Sequence, residues 1–245
     1  MLKSIGREFM LKTRYENMEP ADQNNKIAQP PLEASYDITK TVIDLPMPEE
    51  IPPFMIDFMA VVELRTSVRD YQNMPLSLLE LSYLLWCTQG VKQVLGNKAT
   101  LRTVPSAGAR HALETYLLIH NVEGVKPGLY RFLALEHKLI EVNMAKDISK
   151  EIIKGCLAQG FIAKSGVTFL WSAEVERMKW RYGERGYRYL HLDAGHVCQN
   201  LYLAAQVVGC GVCAIAAFDD EYINSVIGLD GEEEFIIYVA TVGKR

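Results

Sequence analysis

The chain has 245 residues, 49% of them hydrophobic, with 26 basic against 30 acidic side chains, a net charge of -4 and a pI of about 5.8. That length suits one large domain carrying an extended arm, and the mild acidity argues against a nucleic-acid partner, which calls for a basic face. No apolar run approaches a membrane span. The opening MLKSIGREFMLKTRY lacks the apolar stretch of a secretory signal, so the expected location is the cytoplasm.

From the N-terminus, the first fifty or so residues stand apart. They hold seven of the ten prolines (Pro20, Pro30, Pro31, Pro46, Pro48, Pro52 and Pro53), and Gly6 is the sole glycine before Gly90. Proline fixes φ and removes a donor, which predicts extended or turning chain. Ile38, Val42, Ile43 and Leu45 read as docking residues. Residues 1–53 are therefore expected to form an arm laid over a body, 54–245, or over a partner subunit.

The body is expected to open with a helix over 54–64. Ser77 with Glu80 three residues on is a capping box, starting a helix that Gly90 ends. A strand follows over 115–120, then a hairpin of 128–132 with 139–142, a helix over 148–157 and a buried strand over 167–173. The most informative element runs from about 184 to 208. Leu190, Ala194, Val197, Leu201, Ala204, Ala205 and Val208 form one apolar stripe at helical spacing, and Leu192, Leu203 and Val207 a second. A helix apolar on two sides is buried on two sides, as a monomer's core helix or as one shared with a dimer mate. Strands over 212–217 and 235–242 close the chain. Several strands are joined by short links, which favours an α+β fold over a doubly wound parallel one.

Absent motifs narrow the chemistry. No phosphate-binding P-loop, dinucleotide-binding GxGxxG between strand and helix, HExxH or GxSxG is present. Gly209 and Gly211 follow a helix, where glycine serves as a cap. His191 and His196 are five apart, on different helix faces, and read as surface or packing residues. Five cysteines (Cys87, Cys156, Cys198, Cys210 and Cys213) in a leaderless chain argue against a disulfide framework. The Cys210–Cys213 CxxC lacks a second ligand pair and reads as two small buried residues. Glu232, Glu233 and Glu234 read as a solvated turn, and no metal site is expected.

Four segments carry candidate chemistry. In Arg65-Thr66-Ser67-Val68-Arg69, extended chain would project two guanidinium groups and a hydroxyl to one side, as a phosphate monoester requires. Pro105-Ser106-Ala107-Gly108 is a loop of small residues that lets backbone approach a flat ligand. Ala214-Ile215-Ala216-Ala217 is a strand end whose backbone can lie under an aromatic ring system. Lys244 and Arg245 end the chain with positive charge. Each segment also reads as an ordinary loop, strand or solvated terminus.

Together, RTSVRDY, PSAGARHALETYLLI, RYGERGYRYLHLDAGHVCQNLYLAAQVVGCGVCAIAAF and VATVGK resemble the nitroreductase family over residues 54–245. They resemble most its SagB-type branch, related to thiazole/oxazole-forming dehydrogenases, whose stand-alone members the arm also resembles. The resemblance implies a nitroreductase-like α+β fold: a mixed, mostly antiparallel sheet flanked by helices, with an extended N-terminal arm. It also implies a homodimer with FMN at the subunit interface and NAD(P)H as a transient donor. By position, Arg65, Thr66, Ser67 and Arg69 match phosphate and flavin-edge contacts. Pro105, Ser106, Ala107 and Gly108 match the loop that reaches the flavin from the other subunit. Ala214, Ile215, Ala216 and Ala217 match the strand end beside the ring, and Lys244 or Arg245 a C-terminal phosphate charge.

Two departures stand out. The loop continues with Ala109, His111, Ala112 and Leu113 where nitroreductases carry an Asn and Gln-Pro-Trp. Arg181-Tyr182 stands where azoline-oxidising members carry the Lys-Tyr pair thought to act as base. Arginine stays protonated, so the proton work would fall to Tyr182. Three activities follow from the resemblance: an NAD(P)H-dependent reductase of nitro, quinone or similar small acceptors; a dehydrogenase acting on peptide azolines or a small metabolite; and a non-catalytic flavin-holding subunit of a modification complex.

Overall fold

The computed structural model describes residues 4–51 and 56–245. Pro52, Pro53 and the expected helix start at Phe54 lie outside the described residues. In chain order the elements are α1 (Ile5–Lys12), β1 (Val42–Asp44), α2 (Phe58–Leu64), α3 (Leu78–Gln89), β2 (Val91–Leu95), β3 (Ala99–Arg102), β4 (Leu113–Ile119), β5 (Gly128–Leu133), β6 (Lys138–Asn143), α4 (Ile148–Gly155), β7 (Val167–Glu174), α5 (Val175–Tyr182), α6 (Gly186–Val207), β8 (Cys210–Ile215), α7 (Asp220–Ile227) and β9 (Glu234–Lys244).

Seven strands form one sheet in the order β1-β6-β5-β4-β7-β9-β8, antiparallel at every pairing, and β2 and β3 make a separate hairpin. Alternation along the central strands splits the core in two, because successive side chains on a strand point to opposite faces. Leu117, Ile119, Phe169, Trp171, Ala240 and Val242 face α3 and α6. Tyr116, Leu118, Leu170 and Val239 face the other way, toward Ile148 and Ile152 of α4 and Ile223 and Ile227 of α7. Helices therefore cover both faces, as expected of an α+β fold.

The arm departs from expectation. Its first nineteen residues contain no proline, and there the chain winds into α1 and a 3-10 turn, Tyr15–Asn17. Arg188 on α6 binds this helix end, donating to the Thr13 hydroxyl at 2.7 Å and the Met10 carbonyl at 2.5 Å. Further on, β1 joins the sheet edge beside β6. Of the four residues expected to dock, Leu45 is buried and Ile43 half-buried, whereas Ile38 and Val42 stay exposed.

Helix α3 starts as read. The Ser77 hydroxyl accepts the Glu80 N–H at 3.2 Å and the Glu80 carboxylate accepts the Ser77 N–H at 2.8 Å. The long helix is α6, 22 residues, and it differs from expectation in one respect. Leu190, Ala194, Val197, Leu201 and Ala205 are buried, but on the second stripe Leu192 is 58% exposed. One chain therefore covers α6 on one side only over this stretch. The α5 and α7 helices and the β2–β3 hairpin were not legible in the sequence.

Candidate functional site

Two clusters gather the expected site residues. The first forms where α2 ends. Arg65 leaves the helix with extended backbone, and the chain then runs beside β8. Ser67 bridges Val212 in parallel, and the Val68 N–H donates to the Val212 carbonyl at 2.9 Å. Gly211 permits this approach, since a Cβ there would meet the Val68 side chain at 2.6 Å. Arg65 and Ser67 share a partner in Tyr202, whereas Arg69 reaches a ring packed on the other core cluster. The Arg65 guanidinium lies over the Tyr202 ring at 5.4 Å, the Ser67 hydroxyl is 3.0 Å from the Tyr202 hydroxyl, and Arg69 lies over Phe161 at 5.9 Å. Thr66 is exposed. The nearby carboxylate, Asp70, pairs with Lys164 at 3.6 Å, so neither arginine is neutralised among the described residues.

Tyr202 was not singled out from the sequence. Its hydroxyl also accepts the Ala214 N–H at 2.9 Å, tying α6, Ser67 and the end of β8 together. The available signal was a tyrosine beside an otherwise apolar helical stripe, because a buried tyrosine hydroxyl calls for a partner. The final strand residues need a correction. Pairing ends at Ile215, not 217. The Asp219 N–H donates to the Gly155 carbonyl at 2.8 Å and its carboxylate caps α7, which draws the chain off the sheet. Ala216 and Ala217 are thus exposed beyond the ladder.

The second cluster forms around residues 105–109. Asp193 on α6 holds this loop: the Ser106 hydroxyl donates to its carboxylate at 2.5 Å and the Ala107 N–H at 3.2 Å, while Ser106 Oγ accepts the His111 N–H at 2.9 Å. Burial raises the Asp193 carboxyl above its ordinary range against the pull of those two bonds. Gly108 has φ +56, and a Cβ there would sit 2.5 Å from the Tyr182 hydroxyl and 2.9 Å from the Arg181 side chain. The structure therefore brings Arg181 and Tyr182 against the predicted loop. Tyr182 packs edge-on to Tyr189 at 4.8 Å, and Arg181 is exposed beside it. Behind the loop, His111 is buried, and desolvation with Arg102 nearby pushes its imidazole down to about 3.

Within one chain these clusters face apart. Asp193 and Tyr202 lie nine positions apart on α6. At about 100° and 1.5 Å per residue they are on opposite faces and about 13 Å apart along the axis. Lys244 joins neither cluster. Its ammonium pairs with Glu80 and donates to the Val208 carbonyl at 3.1 Å, while Arg245 is exposed. Cys210 and Cys213 are buried, and at odd spacing on a strand they point to opposite faces; burial pushes Cys210 up to about 12. His191 and His196 are exposed. Among the described residues no group of three or more His, Cys, Asp or Glu side chains is placed to hold a metal, and no helix is long and apolar enough to cross a membrane.

The sequence model of the Nitroreductase family matches residues 62–244, which takes in the arginine segment from Arg65, the loop, α6 and β9. The chain belongs to the nitroreductase family. It is 36% identical over 181 residues to the nitroreductase-family protein MJ1384 of Methanocaldococcus jannaschii, across 74% of this chain and 87% of that one. It is 28% identical over 156 residues to the trifolitoxin-processing protein TfxB of Rhizobium leguminosarum bv. trifolii, across 62% of this chain but 42% of that one. The second similarity supports the SagB-type branch within the family. Among solved structures, a nitroreductase-family protein of Ralstonia eutropha superposes with a TM-score of 0.69 at 24% identity, covering 89% of this chain and 98% of that one. The NADPH:FMN oxidoreductase of Vibrio harveyi shares the fold, with a TM-score of 0.54 at 10% identity over 76% of this chain and 68% of that one.

Proposed function

We propose that this nitroreductase-family protein is an FMN-dependent oxidoreductase working as a homodimer. It would pass electrons between NAD(P)H and a small organic acceptor such as a nitro compound or quinone. One observation carries the reading: the two clusters that together would cradle a flavin lie on opposite faces of α6 in a single chain. A second copy packed against the open Leu192 side of α6 would supply the loop cluster to the arginine cluster of its mate.

The residues present fit the group. Arg65 and Arg69, neither in an ion pair among the described residues, flank Ser67 in the chain and give a donor set for a phosphate or an electron-rich ring edge. Exposed Ala216 and Ala217 leave a flat strand end with no bulky side chain. Gly108, at φ +56, lets the loop pack directly against Arg181 and Tyr182. When bound, FMN supplies the two-electron chemistry. The chain's own residues bind and orient: Arg65, Ser67 and Arg69 grip, Tyr202 holds Ser67 and the β8 end in register, and Pro105–Gly108 close the other side.

TfxB similarity favours a second reading, a dehydrogenase acting on a peptide azoline or small metabolite. There Tyr182 would exchange the proton, with the Arg181 guanidinium 5.8 Å from its ring.

The test is an absorbance spectrum of the purified protein before and after anaerobic NADPH. A flavin band that bleaches supports the reductase; one that persists favours the dehydrogenase reading; no band after added FMN removes the proposal. Arg65→Ala should weaken FMN binding by about 2–3 kcal/mol, roughly 30- to 150-fold, for loss of a charge-assisted contact. Retained flavin in that variant would remove the phosphate assignment.

A further inference from the structure

The arm builds a cleft over the candidate pair. Residues 15–24 lie across the α5–α6 junction, anchored by the Gln23 N–H on the Trp180 carbonyl, the Trp180 indole N–H on the Ile27 carbonyl, both at 2.8 Å, and the Arg185 guanidinium on the Thr13 carbonyl at 2.7 Å. Between arm and body is a space of about 620 Å³, walled by Tyr15, Glu19, Arg181, Tyr182, Arg185 and Tyr189 among others. Without the arm, Arg181 and Tyr182 would stand at an open surface.

The cleft carries an uncompensated charge. Arg181 and Arg185 line it, Glu19 is its one carboxylate, and no ion pair forms with either arginine among the described residues. Nearby acidic side chains are taken elsewhere, since Glu176 and Glu184 both pair with Lys179. A third guanidinium lies just beneath. Arg110 donates to the Gly108 carbonyl at 3.1 Å, and its charge is disfavoured by burial and by Arg181. Like charges held this close with no ion pair among the described residues are relieved by an anion. The walls also offer aromatic faces, with Tyr182 and Tyr189 packed edge-on and Tyr15 84% exposed opposite them.

We infer that this cleft is the acceptor-side subsite, and that it selects a small planar molecule carrying an acidic group. The carboxylate would seat on Arg181 and Arg185, with the ring against the tyrosines and the reacting end toward the Gly108 loop. This deepens the oxidoreductase reading and rests on it for the word acceptor; the binding claim stands by itself. Charge-assisted contacts to a guanidinium are strong enough to set such a preference, and Glu19 opposes it.

Isothermal titration calorimetry on the FMN-loaded full-length protein tests the claim, with 4-nitrobenzoate as the acid and 4-nitrobenzamide as its neutral isostere. The acid should bind at least about tenfold more tightly, and the preference should shrink as salt rises. Arg181→Gln should erase most of the preference while the amide's affinity stays within about twofold. Glu19→Gln should tighten the acid by about two- to threefold, a gain that a damaged fold does not produce. Equal binding of acid and amide, or a preference that survives Arg181→Gln, overturns the inference. Acid-selective binding without NADPH-driven turnover keeps the subsite and removes the reductase; turnover without acid selectivity does the reverse.

Discussion

Asp193 ties α6 to the loop of residues 105–108 by hydrogen bonds, so its removal should act on the loop before it acts on the helix. The carboxylate is buried and accepts two bonds, from the Ser106 hydroxyl at 2.5 Å and the Ala107 N–H at 3.2 Å. A hydrogen bond to a charged group contributes about 1.5–3 kcal/mol. Against this stands desolvation, the largest influence on Asp193, which raises its carboxyl above 3.8. The net cost of Asp193→Ala should therefore be about 2 kcal/mol rather than the sum of two bonds. Asp193→Asn keeps an acceptor and removes the buried charge, so it should cost under about 1 kcal/mol. A raised folded-state value means that the folded chain holds this proton more tightly than the unfolded one. Its contribution is greatest below about pH 3.8 and falls as pH rises through the folded value, a dependence that Asn abolishes. Urea midpoints for Asp193→Ala, Ser106→Ala and the double variant give the coupling directly, expected at about 1.5–3 kcal/mol. A coupling under about 0.5 kcal/mol, or an Asn variant as unstable as the Ala variant, would refute the assignment of Asp193 as the loop's anchor.

Three further outcomes follow from the same geometry. His111 is buried neutral with its imidazole pushed down to about 3, first by desolvation and then by Arg102. Its contribution is complete above the ordinary histidine value and is lost progressively as pH falls from there through the folded value of about 3, with about 2 kcal/mol going between about pH 7 and 5. His111→Gln should flatten that part of a chemical-denaturation profile, and an unchanged slope counts against a buried neutral imidazole. Tyr202→Phe leaves the Ala214 N–H and Ser67 hydroxyl without their shared partner. It should cost about 1–3 kcal/mol in stability and loosen flavin more than tenfold, read by fluorescence titration. Gly108→Ala places a methyl 2.5 Å from the Tyr182 hydroxyl at φ +56. It should displace the Arg181–Tyr182 pair together with the 105–108 loop, so that turnover and flavin affinity fall together; wild-type turnover and flavin content would show that the loop and the pair are not in contact.

Local rules carried well where the signal was local. The capping box of Ser77 and Glu80 needs only a helix start three residues long to express itself, and it stands as read. The hairpin of β5 and β6, the apolar stripe of α6 and the shared side of Arg65 and Ser67 are likewise properties of short stretches. The arm misled because seven prolines dominated its reading, although the proline-free start was free to wind into α1. The end of β8 was misplaced because Ala216 and Ala217 are as strand-compatible as Ala214. What stops the strand is a bond from Asp219 to Gly155, sixty-four positions away.

The sequence by itself determined which residues are candidates for a site and which motifs are missing, because motif order and side-chain type are written in one dimension. Only the tertiary structure decided their grouping. It divided the candidates between opposite faces of α6, spent Lys244 on Glu80, set Arg181 and Tyr182 against Gly108, and drew the arm over them as a wall. The reason is physical. The direction of a side chain is a local consequence of φ and ψ, but its partner is whichever element the closing of the core brings alongside, and that depends on the whole chain at once.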